Sequence, residues 1–254
     1  LSRHESLPGL LALDPSLTAV LREPTNPQRV AAANAYLEAA QQGAAVAVTF
    51  LIDTDGQTVA ASNWRLPRSF IGHNYAFRPY FRDALARGLG RFYGVGVTTG
   101  EPGYFLAAPV RDQGKVLGVI VLKVGLDSME QALAGAGDTL LLADGDGVVF
   151  LSAQRHWRYR TLEPLRAAVA ERLRQTQQYG SQPLLPLTGR PLPINASQPV
   201  RFALPGEAPR ERLIHARPVG TLGWQVVQFG DLGEARTAAL GGGVAVAFAR
   251  VTLA

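Results

Sequence analysis

The 254-residue sequence contains no cysteine. That absence excludes a disulfide framework, a thiolate zinc site, an iron–sulfur cluster and a cysteine nucleophile. Lysine is almost absent too: of 25 basic residues only Lys115 and Lys123 are lysines, the other 23 being arginines. Apart from a short run at Arg155, Arg158 and Arg160, the arginines are scattered among 20 acidic residues. With no helix-turn-helix, zinc-finger spacing or RNP-type strand to organise it, the net charge of +5 reads as a solvated basic surface. No nucleic-acid partner is expected.

No uninterrupted apolar run reaches the length of a membrane span. Leu240–Ala254 (LGGGVAVAFARVTLA) reads either as the beginning of a span or as a small-residue tail, with Arg250 opposing full insertion. The chain begins at Leu1 rather than Met, which reads as a piece of a longer protein. Catalytic apparatus is missing as well. His4, His73, His156 and His215 have no ligand spacing, no GxSxG elbow is present and no paired carboxylates stand out. The glycine-rich run Gly94–Gly100 leads into a strand-like segment, not into a helix N-terminus able to hold phosphate. Neither enzymatic activity, nor a metal, nor a cofactor is expected of this chain.

What is present is enough apolar sequence, 47%, to build a core and to exclude disorder. Residues 1–45 read as helical with interruptions. Leu10, Leu11, Leu13, Leu17 and Leu21 form a stripe, Asp14-Pro15 and Glu23-Pro24 punctuate it, and Asn26-Pro27 starts a further helix through Gln42. From Ala45 the period becomes that of strands: an apolar run to Ile52, the turn DTDG at 53–56, then a second run to Ser62. The same pattern returns 91 residues later as 139–143, the turn DGDG at 144–147, and 148–152. The DxDG segments lack the third oxygen ligand and closing Glu of a calcium loop, and read as hairpin turns. Further hairpins are predicted at 104–124 and 212–229, a helix at 163–178 and an unpacked, proline-rich loop at 181–209. The repeat predicts two tandem α+β domains with antiparallel sheets.

One stretch carries chemistry. In Ser69–Arg82 (SFIGHNYAFRPYFR) aromatic rings at Tyr75, Phe77, Tyr80 and Phe81 interleave with Asn74 and Arg78. Aromatic walls around one fixed guanidinium suit a small anion, because the planar fork matches a carboxylate through two parallel hydrogen bonds. The plain alternative is a core cluster in which Arg78 pairs with an internal Asp. Lys123 lies in an apolar strand, GVIVLKV, on the same face as Val119 and Val121. An ammonium there is costly unless it meets an anion or snorkels out at the strand end. Arg78 and Lys123 together would neutralise a dianion, with Thr98, Thr99 and Tyr75 supplying hydroxyls.

The motifs ASNW (61–64), SFIGHNYAFRPYF (69–81), Gly94–Gly103 leading into Tyr104-Phe105, GVIVLKVGLD (118–127), and DGVVFLS with HWRYRTL (146–162) resemble one family. It is the periplasmic sensor region of the DctB-type C4-dicarboxylate sensor histidine kinases, in the double Cache family. The resemblance implies a long N-terminal helix over residues 1–43, rising from a first membrane span. It implies a membrane-distal PAS-like domain at 44–137 that holds ligand, a membrane-proximal one at 138–232, and a segment from 233 to 254 leading toward a second span. Carried over by position, the dicarboxylate contacts fall on Asn74, Tyr75, Arg78, one of Thr98 and Thr99, and Lys123. A periplasmic location in an inner-membrane protein, a homodimer through the N-terminal helix and a kinase core beyond the second span are also implied. Two alternatives remain: a Cache sensor for an amino acid or a monocarboxylate, and a protein-interaction module whose aromatic cluster is only core. An amino-acid site would ordinarily need an acidic residue for the ammonium, and Ser69–Arg82 holds none.

Overall fold

The computed structural model describes residues 4–135, 140–220 and 222–231. The N-terminal region is three helices, broken at Asp14-Pro15 and Asn26-Pro27 as the residues predict, rather than the single long helix that the resemblance implies: α1 (Leu7–Leu11), α2 (Pro15–Arg22) and α3 (Pro27–Ala44). The breaks have a local cause. Asp14 and Asn26 both sit in extended backbone, accept hydrogen bonds from the first N–H groups of the helix that follows, and precede a proline at its first position.

Two five-stranded antiparallel sheets follow, one in each of two compact units. The first unit runs to Leu126 and also includes Glu171–Ser181; the second comprises Asp127–Ala170 and the chain from Gln182 onward. In the first, β1 (Val48–Asp53), β2 (Thr58–Ala61), β3 (Gly90–Val95), β4 (Pro102–Asp112) and β5 (Lys115–Val124) are ordered β2-β1-β5-β4-β3. A helix between β2 and β3, α4 (Pro79–Arg87), buries Tyr80, Phe81 and Ala84 against Phe50, Phe92, Phe105, Val119 and Val121. Tyr80 stacks on Phe105 with ring centroids 5.1 Å apart. Against β1 and β2, α3 is keyed by polar contacts: Thr49 Oγ1 donates to Leu37 O at 2.7 Å, and Ala61 N donates to Asn34 Oδ1 at 2.9 Å.

After α5 (Asp127–Gly135), the second unit builds β6 (Leu140–Ala143), β7 (Val149–Ser152), β8 (Val200–Phe202), β9 (Arg210–Val219) and β10 (Trp224–Asp231), ordered β7-β6-β10-β9-β8. This is the order of the first sheet, strand for strand. The predicted helix forms as α6 (Ala167–Gln175). Detail repeats as well. Tyr75 N–H donates to Gly56 O at 2.8 Å, and Leu162 N–H to Gly147 O at 2.9 Å. Both glycines close a DxDG turn at positive φ, +89° and +77°. The first aspartate of each turn accepts backbone N–H bonds two and four residues on, as a hairpin turn requires.

The proline-rich segment is not the unpacked loop expected. Leu187, Leu192 and Leu204 are buried in the second core with Trp157, Phe202 and Phe229, and β8 lies within it. Among the described residues no helix is long and apolar enough to cross a membrane. Residues 233–254, expected to lead toward a span, lie outside the described residues.

Candidate functional site

Arg78 immediately precedes α4, and Pro79 at the first position of that helix holds Arg78 in extended backbone. Its side chain is driven inward, leaving the residue 1% exposed. The guanidinium lies 5.2 Å from the ring centroid of Phe77 and 5.5 Å from that of Phe92. Nη1 donates to Thr176 O and Gln177 O, both at 3.1 Å, and Nη2 donates to Val95 O at 2.7 Å. No ion pair to Arg78 occurs among the described residues, so the internal Asp of the core alternative is not found. Burial pulls the Arg78 pKa below the ordinary arginine value. Among the described residues, backbone carbonyls and two aromatic rings hold this charge.

Lys123 is on β5, opposite Val48 of β1 and Phe105 of β4, and is also 1% exposed. Its stem crosses the backbone of Gly103. A Cβ built there would sit 2.6 Å from Lys123 Cε and 2.8 Å from Cγ, closer than side chains tolerate. The glycine therefore gives the lysine its path. At the end of that path Nζ donates to Thr99 Oγ1 at 3.3 Å and pairs with Glu101 Oε2 at 3.5 Å.

The two cations reach the chain at adjacent residues. Arg78 holds Val95 O, while a Cβ on Gly96 would lie 3.7 Å from Lys123 Nζ. The loop that follows contributes the hydroxyls. Thr98 Oγ1 shares a 2.6 Å hydrogen bond with the Tyr75 hydroxyl, and Thr99 Oγ1 meets Lys123. Burial is the largest influence on Tyr75 and raises its pKa, against opposing effects of Thr98 and Arg78, so the phenol stays protonated and can donate.

Five of the six residues singled out from sequence thus gather around 95–99. Asn74 does not. It is exposed, its amide donates to Asp55 O at 2.9 Å, and its Oδ1 accepts from Ala76 N at 2.9 Å, which fixes the approach to Tyr75 rather than the site. Glu101 and the carbonyls of Thr176 and Gln177 were missed by sequence reasoning. Glu101 falls in a glycine- and threonine-rich loop whose fold no local pattern discloses, and the carbonyls come from a segment 98 residues distant. Among the described residues no cluster of His, Asp and Glu could hold a metal ion.

The second unit carries no such site at the equivalent positions. Matching the bulges of β1 and β6 aligns Val121 with Val227, and hence Lys123 with Phe229. The repeated turn bond aligns Tyr75 with Leu162. Both substitutes are apolar and buried.

Comparison with known proteins identifies the family. The Cache domain family matches residues 3–238. The C4-dicarboxylate transport sensor protein DctB of Rhizobium meliloti is 34% identical over 232 residues, covering 91% of this chain and 37% of that protein. The protein of the same description from Pseudomonas aeruginosa is 36% identical over 187 residues, covering 74% of this chain and 31% of its own length. The chain thus spans about a third of the curated relatives it matches. The crystal structure of the V. cholerae histidine kinase DctB sensor domain superposes with a TM-score of 0.79 at 30% identity, covering 91% of this chain and 89% of that one. The ligand-binding domain of Mlp24 with asparagine shares the fold, with a TM-score of 0.59 at 18% identity and coverage of 93% and 88%. The chain belongs to the double Cache family, as a sensor domain of the DctB type.

Proposed function

We propose that this chain is the extracytoplasmic sensor region of a two-component histidine kinase and binds a C4-dicarboxylate such as succinate, fumarate or malate. The observation that carries this is two fully buried cations, Arg78 and Lys123, converging on Val95 and Gly96 among hydroxyl groups. A buried ion costs several kcal/mol, on the order of 3 or more, unless it is compensated. A ligand dianion compensates both at once.

Three N–H groups of Arg78 are directed at backbone carbonyls, and a guanidinium has five donors. The remaining donors take one ligand carboxylate, and the Lys123 ammonium takes the other. Thr99, the neighbour of Lys123, contacts that second carboxylate, while the hydrogen-bonded pair of Thr98 and protonated Tyr75 hydroxyls supplies one further donor from the side. Asn74 acts through the backbone by holding the approach to Tyr75. The membrane-distal domain, 44–137, is then the binding domain, and 138–232 the membrane-proximal one, supported by the repeated strand order and by Phe229 standing where Lys123 stands. Ligand with unequal affinity for two arrangements shifts the N-terminal helices of a dimer, and membrane spans flanking the chain carry the change from periplasm to kinase.

Isothermal calorimetry with succinate on the wild type, Arg78→Ala and Lys123→Ala tests this. Loss of a charge-assisted hydrogen bond predicts binding weakened at least about 10-fold in each variant. Melting temperature is read in parallel, because Arg78→Ala also strips three carbonyls of their donor. Unchanged affinity in both variants rejects the site.

A further inference from the structure

Glu101 has no part in the dicarboxylate site just described, yet its carboxylate reaches Lys123. Its Oε2 lies 3.5 Å from Lys123 Nζ, while the two side chains differ sharply in exposure: 74% for Glu101 and 2% for Lys123. Its backbone is held. Gly96 N–H donates to Glu101 O at 2.9 Å, Gly100 N–H donates to Gly96 O at 2.7 Å, and Glu101 N–H donates to Thr99 Oγ1 at 3.3 Å. Gly100 makes this loop possible with φ +74°. Only the side chain is free to turn.

Resting on the dicarboxylate reading, we propose that Glu101 is a built-in competitor for the ligand, its carboxylate occupying on Lys123 the position of one ligand carboxylate. The asymmetry of burial makes the exchange feasible. Glu101 returns to water with little change in solvation, whereas Lys123 stays buried and accepts whichever carboxylate is offered. The Glu101 contact is lost whenever a dianion binds, so it lowers affinity for dicarboxylates. A ligand that engages Arg78 alone leaves the contact intact. Glu101 thereby sets both the affinity of the site and the class of anion that displaces it.

Calorimetry with succinate on Glu101→Gln and Glu101→Asp provides the test. An ion pair with one exposed partner corresponds to about a two- to fivefold change in Kd, so Glu101→Gln should bind succinate about that much more tightly. Glu101→Asp keeps the charge but, on an anchored backbone, falls one methylene short of Nζ, and should tighten binding similarly. Tightening in Gln alone would reduce the effect to the general field of the charge and overturn direct competition. Unchanged or weaker succinate binding in both variants, with wild-type binding intact, refutes the competitor role and leaves the dicarboxylate site standing. Loss of aspartate binding in Glu101→Gln with succinate unaffected would make Glu101 the holder of a ligand ammonium instead. A wild type that binds no dicarboxylate at all fails the earlier reading and the competitor role with it.

Discussion

Replacing Gly103 with alanine places one methyl group where the Lys123 stem passes. The new Cβ would lie 2.6 Å from Cε, 2.8 Å from Cγ and 3.3 Å from Cδ. Something must move, and β4 is held on both sides, by β3 through Gly94↔Gly103 and by β5 through Tyr104↔Val124. The lysine stem is the softer partner. Forcing it off its rotamer costs about 0.5–1.5 kcal/mol, which lowers the melting temperature by roughly 2–5 °C for a chain of this size. Ligand binding suffers more. The ammonium is carried away from Thr99, and losing one charge-assisted bond worth about 1.5–3 kcal/mol weakens succinate binding about 10- to 100-fold. Calorimetry and thermal melts on Gly103→Ala measure both, with Gly9→Ala as control because nothing lies within 4 Å of a Cβ there. A Kd within about twofold of wild type in a folded Gly103→Ala chain would refute the claim that this glycine exists for the lysine.

Tyr75→Phe and Thr98→Val each delete one end of the same 2.6 Å hydrogen bond, so similar losses of about 0.5–1.5 kcal/mol in stability are expected by denaturant titration. Unequal losses would mean that one hydroxyl has a second partner. Tyr104 is pushed up to about 12 from 10.0 by burial. The folded chain therefore retains a proton that the unfolded chain releases, and stability is fully present below about pH 10 and falls as pH rises toward about 12. Tyr104→Phe should flatten that fall in thermal melts across this window; an unchanged slope contradicts the assignment. Phe229→Ala, at the counterpart of Lys123, should cost about 3–5 kcal/mol of stability while the calorimetric stoichiometry stays at one succinate per chain. A second binding event on the wild type would show that the second unit also takes ligand.

Much of this molecule was legible where chemistry is local. Asn26-Pro27 announces the start of α3, the DxDG turns announce two hairpins, and their recurrence announces two sheets of one topology. Lys123 was conspicuous because charge in an apolar strand is costly, and Arg78 because aromatic rings surround it. Long-range features were less accessible. Glu101 acquires its meaning only when the 96–101 loop folds back toward β5, and no periodicity encodes that return. Arg78's carbonyl partners at Thr176 and Gln177 are backbone atoms, which any residue supplies. Leu187, Leu192 and Leu204 belong to a packed but irregular segment, so their burial follows neither the helical nor the strand period. Equivalence of Lys123 with Phe229 emerges from bulge and register, not from residue identity.

The central claim is that two buried cations hold the two ends of one dianion. A crystal structure of the chain grown with succinate measures this most directly. One ligand in the first unit is predicted, with one carboxylate on the Arg78 guanidinium and the other on Lys123 Nζ in place of Glu101. Succinate bound elsewhere, or with both carboxylates turned away from Arg78 and Lys123, would contradict the account.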